Sequence, residues 1–169
     1  MLLADLGADV IKVEEPFERP GVGRDILTPP GSTPEEEERA LAYNNLARNK
    51  RSLAINLKEQ EGKEVFLALA EKADVVVEGF RPGVVANLGI DFDSLKQINS
   101  RIVYCSLSGY GQTGPYRDVP GHDVNFISMG GVAAFAGDSG GRPVYPGVQI
   151  ADLAGGMYAA IGILTGLMA

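Results

Sequence analysis

The chain has 169 residues, 45% hydrophobic and 22% charged, enough apolar matter to bury a core and unlike a disordered or collagen-like sequence. Its 22 acidic residues outnumber its 15 basic ones for a formal net charge of −7, which speaks against general nucleic-acid binding, since that needs a basic face. One cysteine, Cys105, has no internal disulfide partner and points to a reducing, cytoplasmic compartment, and one histidine, His122, excludes a histidine-rich metal site.

Met1–Asp9 is too short and too acidic for a signal peptide and reads as the last turns of a helix, with Gly7 just past its end. Val10–Val13 follows as a short strand. Residues 14–47 are polar and turn-rich, with Pro16, Pro20, Pro29 and Pro30. Within them Thr33 is an N-cap, Pro34 the first helical residue, and Glu35 to Glu38 face the positive helix end, a solvated helix start rather than a cation site. Ser52–Leu57 alternates as a strand, and Gln60–Glu71 repeats Val65, Phe66 and Leu69 at helical spacing. Ala73–Val77 reads as a β-branched, buried strand, Asp91–Ile98 as a short helix and Arg101–Leu107 as another strand. Strands alternating with helices predict an α/β domain with a largely parallel sheet.

The final stretch, Leu153–Ala169, carries no charge. It reaches the lower limit of a membrane span and contains the pair Gly162 and Gly166. It also follows Asp152, lacks flanking basic residues and is rich in Gly and Ala, so a buried, closely packed helix without membrane association is expected. A helix without its beginning and another without a cap suggest a fragment.

Gly109-Tyr110-Gly111-Gln112-Thr113-Gly114 matches G-x-G-x-x-G after a predicted strand, but the dinucleotide fingerprint also requires a helix to open there. Pro115 to Pro120 continue a loop and no GK[ST] is present, so nucleotide binding by this motif is rejected and a ligand-side loop remains. Arg48-Asn49-Lys50-Arg51 is a basic cluster in an acidic chain, either a solvated loop or a phosphate clamp. His122 and Asp152 each open a Gly- and Ala-rich helical stretch. Asp152 reads as an N-cap or as a proton-transfer carboxylate, and His122 as a structural residue or as its acid–base counterpart.

The segments LADLGADVIKVE (3–14), NKRSLAINLK (49–58), ADVVVEGFRPGV (73–84), RIVYCSLSGYGQTGP (101–115) and IADLAGGMYAAIGIL (150–164) resemble, in this order, the family III coenzyme A transferases. That group includes formyl-CoA transferase, carnitine CoA-transferase and 2-methylacyl-CoA racemase. The resemblance implies an α/β fold, the Rossmann-like large domain of the family, incomplete at both ends over residues 1–169. The first strand and loop, most of the first helix, the small domain and the return segment would be missing. It further implies an interlocked homodimer, acyl-CoA as substrate, no permanently bound cofactor and no metal.

The family's catalytic carboxylate matches Asp152. In the transferases it attacks the thioester and passes through an acyl-aspartyl anhydride and an aspartyl-CoA thioester. In the racemases it works with a histidine in a Gly-His-Asp-x-Asn motif. Gly121-His122-Asp123-Val124-Asn125 carries that histidine where transferases commonly have tyrosine, so the resemblance points first to a 2-methylacyl-CoA racemase using His122 and Asp152. A CoA transferase with Asp152 as nucleophile and a non-catalytic fragment are the alternatives. CoA contacts carry over to Ile55, Asn56, Leu57 and Lys58, to Gly79, Phe80 and Arg81, and to Gly121 and Asp123, with Lys50 and Arg51 one strand away. Two positions depart from the family: Glu15 and Asn87 stand where arginines are often found.

Overall fold

Two parallel strand pairs carry the fold in the computed structural model, which describes residues 1–16, 33–36, 47–137 and 140–169. The turns expected over 17–32 and the helix beyond Glu36 lie outside the described residues. The chain divides into two units, Met1–Lys63 and Glu64–Ala169.

The first unit opens with α1 (Leu2–Asp5), which ends at Leu6 and turns through Gly7 in the left-handed region, φ +100°. β1 (Val10–Glu14) pairs with β2 (Lys50–Ala54) in the register Val10↔Lys50 to Glu14↔Ala54. Parallel pairing requires a long crossover, here residues 15–49. Inside it the expected N-cap is present: the Glu36 N–H donates to Thr33 Oγ1 at 3.3 Å and the Thr33 N–H to Glu36 Oε2 at 2.8 Å. β2 begins two residues before the expected Ser52 and ends at Ala54 rather than Leu57. Pairing with β1 sets both ends. The Ile55 N–H makes the last bond, to the Glu14 carbonyl at 2.9 Å, and Asn56 then turns the chain by accepting from the Lys58 N–H at 3.0 Å.

Helix α2 (Gln60–Ala70) leads into the second unit, followed by β3 (Val75–Glu78), α3 (Val84–Leu88), α4 (Phe92–Ile98) and β4 (Val103–Ser106). β3 and β4 are parallel, Val75↔Val103 to Glu78↔Ser106, with α3 and α4 in the crossover. Leu95, fully buried, centres a core with Ala70 and Ile102, against which Phe66, Leu67, Ala73, Val76 and Tyr104 pack. Both ends of α4 are tied. Asp91 accepts from the N–H groups of Asp93 (3.1 Å) and Ser94 (3.2 Å), while Asn99 donates to the carbonyls of Ala70 (3.0 Å) and Ala73 (2.7 Å) at the end of α2. The Tyr104 hydroxyl donates to the Ile90 carbonyl at 3.1 Å, and burial pushes its pKa up to about 12. β3 is not the buried strand that its β-branched run predicts: Val77 is 53% exposed, and of its residues Val76 packs on the core cluster.

The unit continues with α5 (Asp123–Met129), a 3-10 turn (Val132–Phe135) and α6 (Ile150–Met168). Contrary to expectation, α6 is not a buried helix. Ile163 is its one buried residue, while Leu153, Met157, Ile161, Leu164 and Met168 form an exposed apolar stripe at three- and four-residue spacing. The contact with β4 and its exit is narrow and made by glycines: a Cβ on Gly166 would lie 3.0 Å from Val103 Cγ1, and one on Gly155 3.6 Å from Leu107 Cδ1. Gly162 faces open space. By length and composition α6 is the one helix among the described residues able to cross a membrane.

Removing the side chain at the core's centre should cost about 3 kcal/mol of unfolding free energy for Leu95→Ala, read by urea denaturation; a loss below about 1 kcal/mol would contradict this packing. Burial raises the Asp91 carboxyl pKa, but the hydrogen bonds from Ser94 and Asp93 outweigh it and hold the group below the usual carboxylate value. Such a group stabilises the fold at neutral pH and loses that contribution as pH falls through its folded value. Asp91→Asn should therefore flatten the acid side of the Tm–pH curve measured by circular dichroism.

Candidate active site

The residues singled out by sequence fall in both units. In the first unit, Arg48 grips Asp5 bidentately, Nε to Oδ1 at 3.1 Å and Nη2 to Oδ2 at 2.6 Å, and Asn49 Nδ2 adds a bond at 2.9 Å. The Arg48 guanidinium holds the Asp5 carboxyl below the ordinary range. Arg51 makes the same fork with Asp9, at 3.1 and 2.6 Å, with both side chains largely exposed. Exposed pairs of this kind contribute little, so an incoming phosphate can compete for the guanidinium. Lys50 stands opposite Val10 in the strand pair, and Lys58 lies 3.6 Å from Glu15. Ile55, Asn56 and Leu57 are half-buried in the turn after β2. That turn sits against the first turn of α2, where a Cβ on Gly62 would collide with the Asn56 backbone.

In the second unit Gly79, Phe80 and Arg81 leave β3 as an exposed turn, fixed by the Phe80 N–H donating to Glu78 Oε2 at 2.8 Å. The next helix starts at Gly83, φ +91°, and a Cβ there would meet Arg117 Nη2 at 3.6 Å. Arg117 therefore lies over the turn that carries Arg81. Sequence reasoning did not select it, since an arginine in a Gly- and Pro-rich loop looks like any solvated one. Cys105 is no ready nucleophile: burial and then the nearby Glu78 carboxylate push its thiol pKa up.

No helix opens after Gly109; the segment is a loop, as its prolines predict. The Tyr110 ring stands edge-on to Phe126 with centroids 5.1 Å apart and lies 5.7 Å from Tyr116. Gly109 and Gly121 rest so closely on the Phe126 ring that a Cβ at either would clash, at 2.7 Å for Gly121. Phe126, one turn into α5, thus anchors both ends of the loop and brings His122 to the N-cap position.

His122 is exposed, and its backbone N–H donates to Asn125 Oδ1 at 2.9 Å. Asp123 is the opposite case, 1% exposed. Its Oδ1 accepts from the Ala151 N–H at 2.6 Å and the Asp152 N–H at 3.2 Å, while Oδ2 is buried without a partner. These bonds join the start of α5 to the start of α6 and so set the Asp152 backbone against Asp123, the residue after His122. Asp152 is not an N-cap: Gln149 holds that position, and Asp152 is the third residue of α6 with an exposed side chain. Among the described residues its carboxylate accepts no hydrogen bond and makes none with His122. An unbonded carboxylate at the amino end of a long helix can act as a nucleophile or exchange a proton.

The chain as a whole is similar to known proteins. The chain is 43% identical over 167 residues to the succinyl-CoA–L-malate CoA-transferase beta subunit of Chloroflexus aurantiacus, covering 98% of this chain and 40% of that protein. It is 41% identical to human succinyl-CoA:glutarate CoA-transferase, covering 99% and 37%. In structure it is similar to a CAIB/BAIF family protein from Brucella suis, with a TM-score of 0.84, 39% identity and coverage of 98% and 43%. The chain thus spans about two fifths of the length of the curated relatives it matches. The family description CoA-transferase family III fits residues 1–169, and with relatives this similar in sequence and fold, the chain belongs to CoA-transferase family III.

Proposed function

We propose that the protein transfers coenzyme A between carboxylic acids, with Asp152 as the nucleophile. The observation that carries this reading is the free Asp152 carboxylate on the first turn of α6, where Asp123 already occupies the helix amides. The Asp152 oxygen attacks the donor thioester carbonyl, and the C–S bond breaks to release CoA thiolate and leave an acyl-aspartyl anhydride. The thiolate then attacks the aspartyl carbonyl, releasing the donor carboxylate and leaving aspartyl-CoA. The acceptor carboxylate repeats both steps in reverse, so CoA leaves on the acceptor and Asp152 is regenerated with no net proton taken up. The positive end of α6 favours the negative charge that develops on the carbonyl oxygen.

The names of the Chloroflexus and human relatives support short dicarboxylates as donor and acceptor, with succinyl-CoA among the donors. By the resemblance, Lys50, Arg51 and Arg81 are the cations offered to the CoA phosphates, and the other carried-over positions supply further contacts, except Asp123, which at 1% exposure is too buried to touch CoA. An interlocked homodimer belongs to the same proposal and rests on the resemblance alone.

A second reading is kept alive by His122. Racemisation would have His122 and Asp152 remove and return the proton α to the thioester from opposite faces of the enolate. The motif at 121–125 favours it, whereas the relatives compared above are named as CoA-transferases.

Incubation with succinyl-CoA and hydroxylamine should yield a hydroxamate on Asp152 by mass spectrometry. Asp152→Asn should abolish transfer, and His122→Tyr should be tolerated. Deuterium entering the α-carbon of a chiral 2-methylacyl-CoA, with no adduct and losses of roughly 10² to 10⁴ for His122→Ala, would replace transfer by racemisation. Neither signal would leave a non-catalytic chain. Separately, Lys50→Ala combined with Arg51→Ala should weaken CoA binding in calorimetry, more at low salt than at high; equal affinities would remove these residues from the site.

A further inference from the structure

We infer that Asp123 is a positioning residue whose buried carboxylate takes over the capping of α6, so that the Asp152 carboxylate is left free to react. The inference rests on the reading of Asp152 as nucleophile and concerns how that nucleophile is kept available. The first amides of any helix lack intrahelical acceptors and carry the positive end of its dipole, so they attract the nearest carboxylate. In α6 the nearest is Asp152 itself, since an acid at the third helical position ordinarily folds back onto the cap. The residue at the cap, Gln149, makes no capping bond with its side chain. Left alone, this helix start would draw the Asp152 oxygens onto its own amides, and a carboxylate engaged in that way is a poor nucleophile.

Asp123 takes two of these amides out of the competition. A single oxygen, Oδ1, binds the amides of Ala151 and Asp152 from a neighbouring helix, at 2.6 and 3.2 Å. At 1% exposure the side chain excludes the water that would otherwise serve the same amides. The second oxygen, Oδ2, is buried and bonds to nothing, so it adds nothing to the cap. A side chain that keeps Oδ1 and replaces Oδ2 therefore preserves the positioning, whereas one that removes both oxygens does not. The position of Asp123 is itself secured, because it is the first residue of α5 and follows His122 at the end of the loop that Phe126 anchors.

The experiment compares Asp123→Ala and Asp123→Asn in the protein by rapid-quench trapping of the acylated Asp152, steady-state kinetics with succinyl-CoA, and crystal structures. Asp123→Ala should slow formation of the Asp152 adduct by roughly a hundredfold, the scale of a misplaced reacting group, with KM unchanged. Its Asp152 side chain should be found turned back onto the amides of α6. Asp123→Asn should recover most of the rate, because its oxygen still caps the helix. If Asp123→Ala reacts as the natural protein does, or keeps Asp152 in its original orientation, the inference is overturned. Should Asp123→Ala fail to fold, Asp123→Asn still decides: a folded Asn variant that forms the adduct a hundredfold more slowly overturns it. Turnover that survives Asp152→Asn instead overturns the nucleophile reading, and this inference with it.

Discussion

Two hydrogen bonds to one buried oxygen hold the candidate site of the second unit together. The Asp123 carboxylate accepts the amides of Ala151 and Asp152 across a sequence gap of 28 and 29 residues. They tie the start of α6 directly to the start of α5. Bonds between an ionised acceptor and a helix amide are short and strong, and burial shields them from water. The rest of the neighbourhood is arranged around this junction. Phe126 packs under Gly109 and Gly121, the loop closes between them, and His122 emerges at the helix start beside Asp123.

The first unit solves a different problem, that of keeping cations ordered yet available. Arg48 and Arg51 are each held by a carboxylate from the α1–β1 region, Asp5 and Asp9, in matching bidentate geometry. The pairs preset the guanidinium orientation at the edge of the strand pair. Because the Arg51–Asp9 pair is exposed, water and salt screen it, and its partner is exchangeable. A net charge of −7 then coexists with a local pair of ordered guanidinium groups.

Much of this was legible from local signals. The N-cap Thr33, the short helix at the Asp91–Ile98 stretch, the turn at Gly7 and the periodicity of α2 are encoded within a few residues, and the structure reproduces them. What sequence reasoning misplaced depends on partners far along the chain. The ends of β2 follow from its register with β1, and α3 is a five-residue helix between two left-handed glycines, too short for a period to show. The exposure of α6 has no local signature, because an uncharged Gly- and Ala-rich run looks the same whether one face or all faces are covered. At the site, His122 and Asp152 could be selected, but Asp152 was open to reading as a cap. That the cap comes from Asp123 is a tertiary fact with no local signature.

The parallel pairing of β1 with β2 has a consequence in time as well as in space. Val10 meets Lys50, forty positions later in the chain. At synthesis rates of about 5 to 20 residues per second, β1 leaves the ribosome roughly 2 to 8 s before its partner exists. During that interval the edge of β1 that β2 will cover is open beside Val10, Ile11 and Val13, the kind of edge that recruits other nascent chains. The charged residues interleaved with them, Lys12 and Glu14, pair with each other on the same strand and need no partner strand to do so. They are in place to act as gatekeepers through the seconds before β2 arrives.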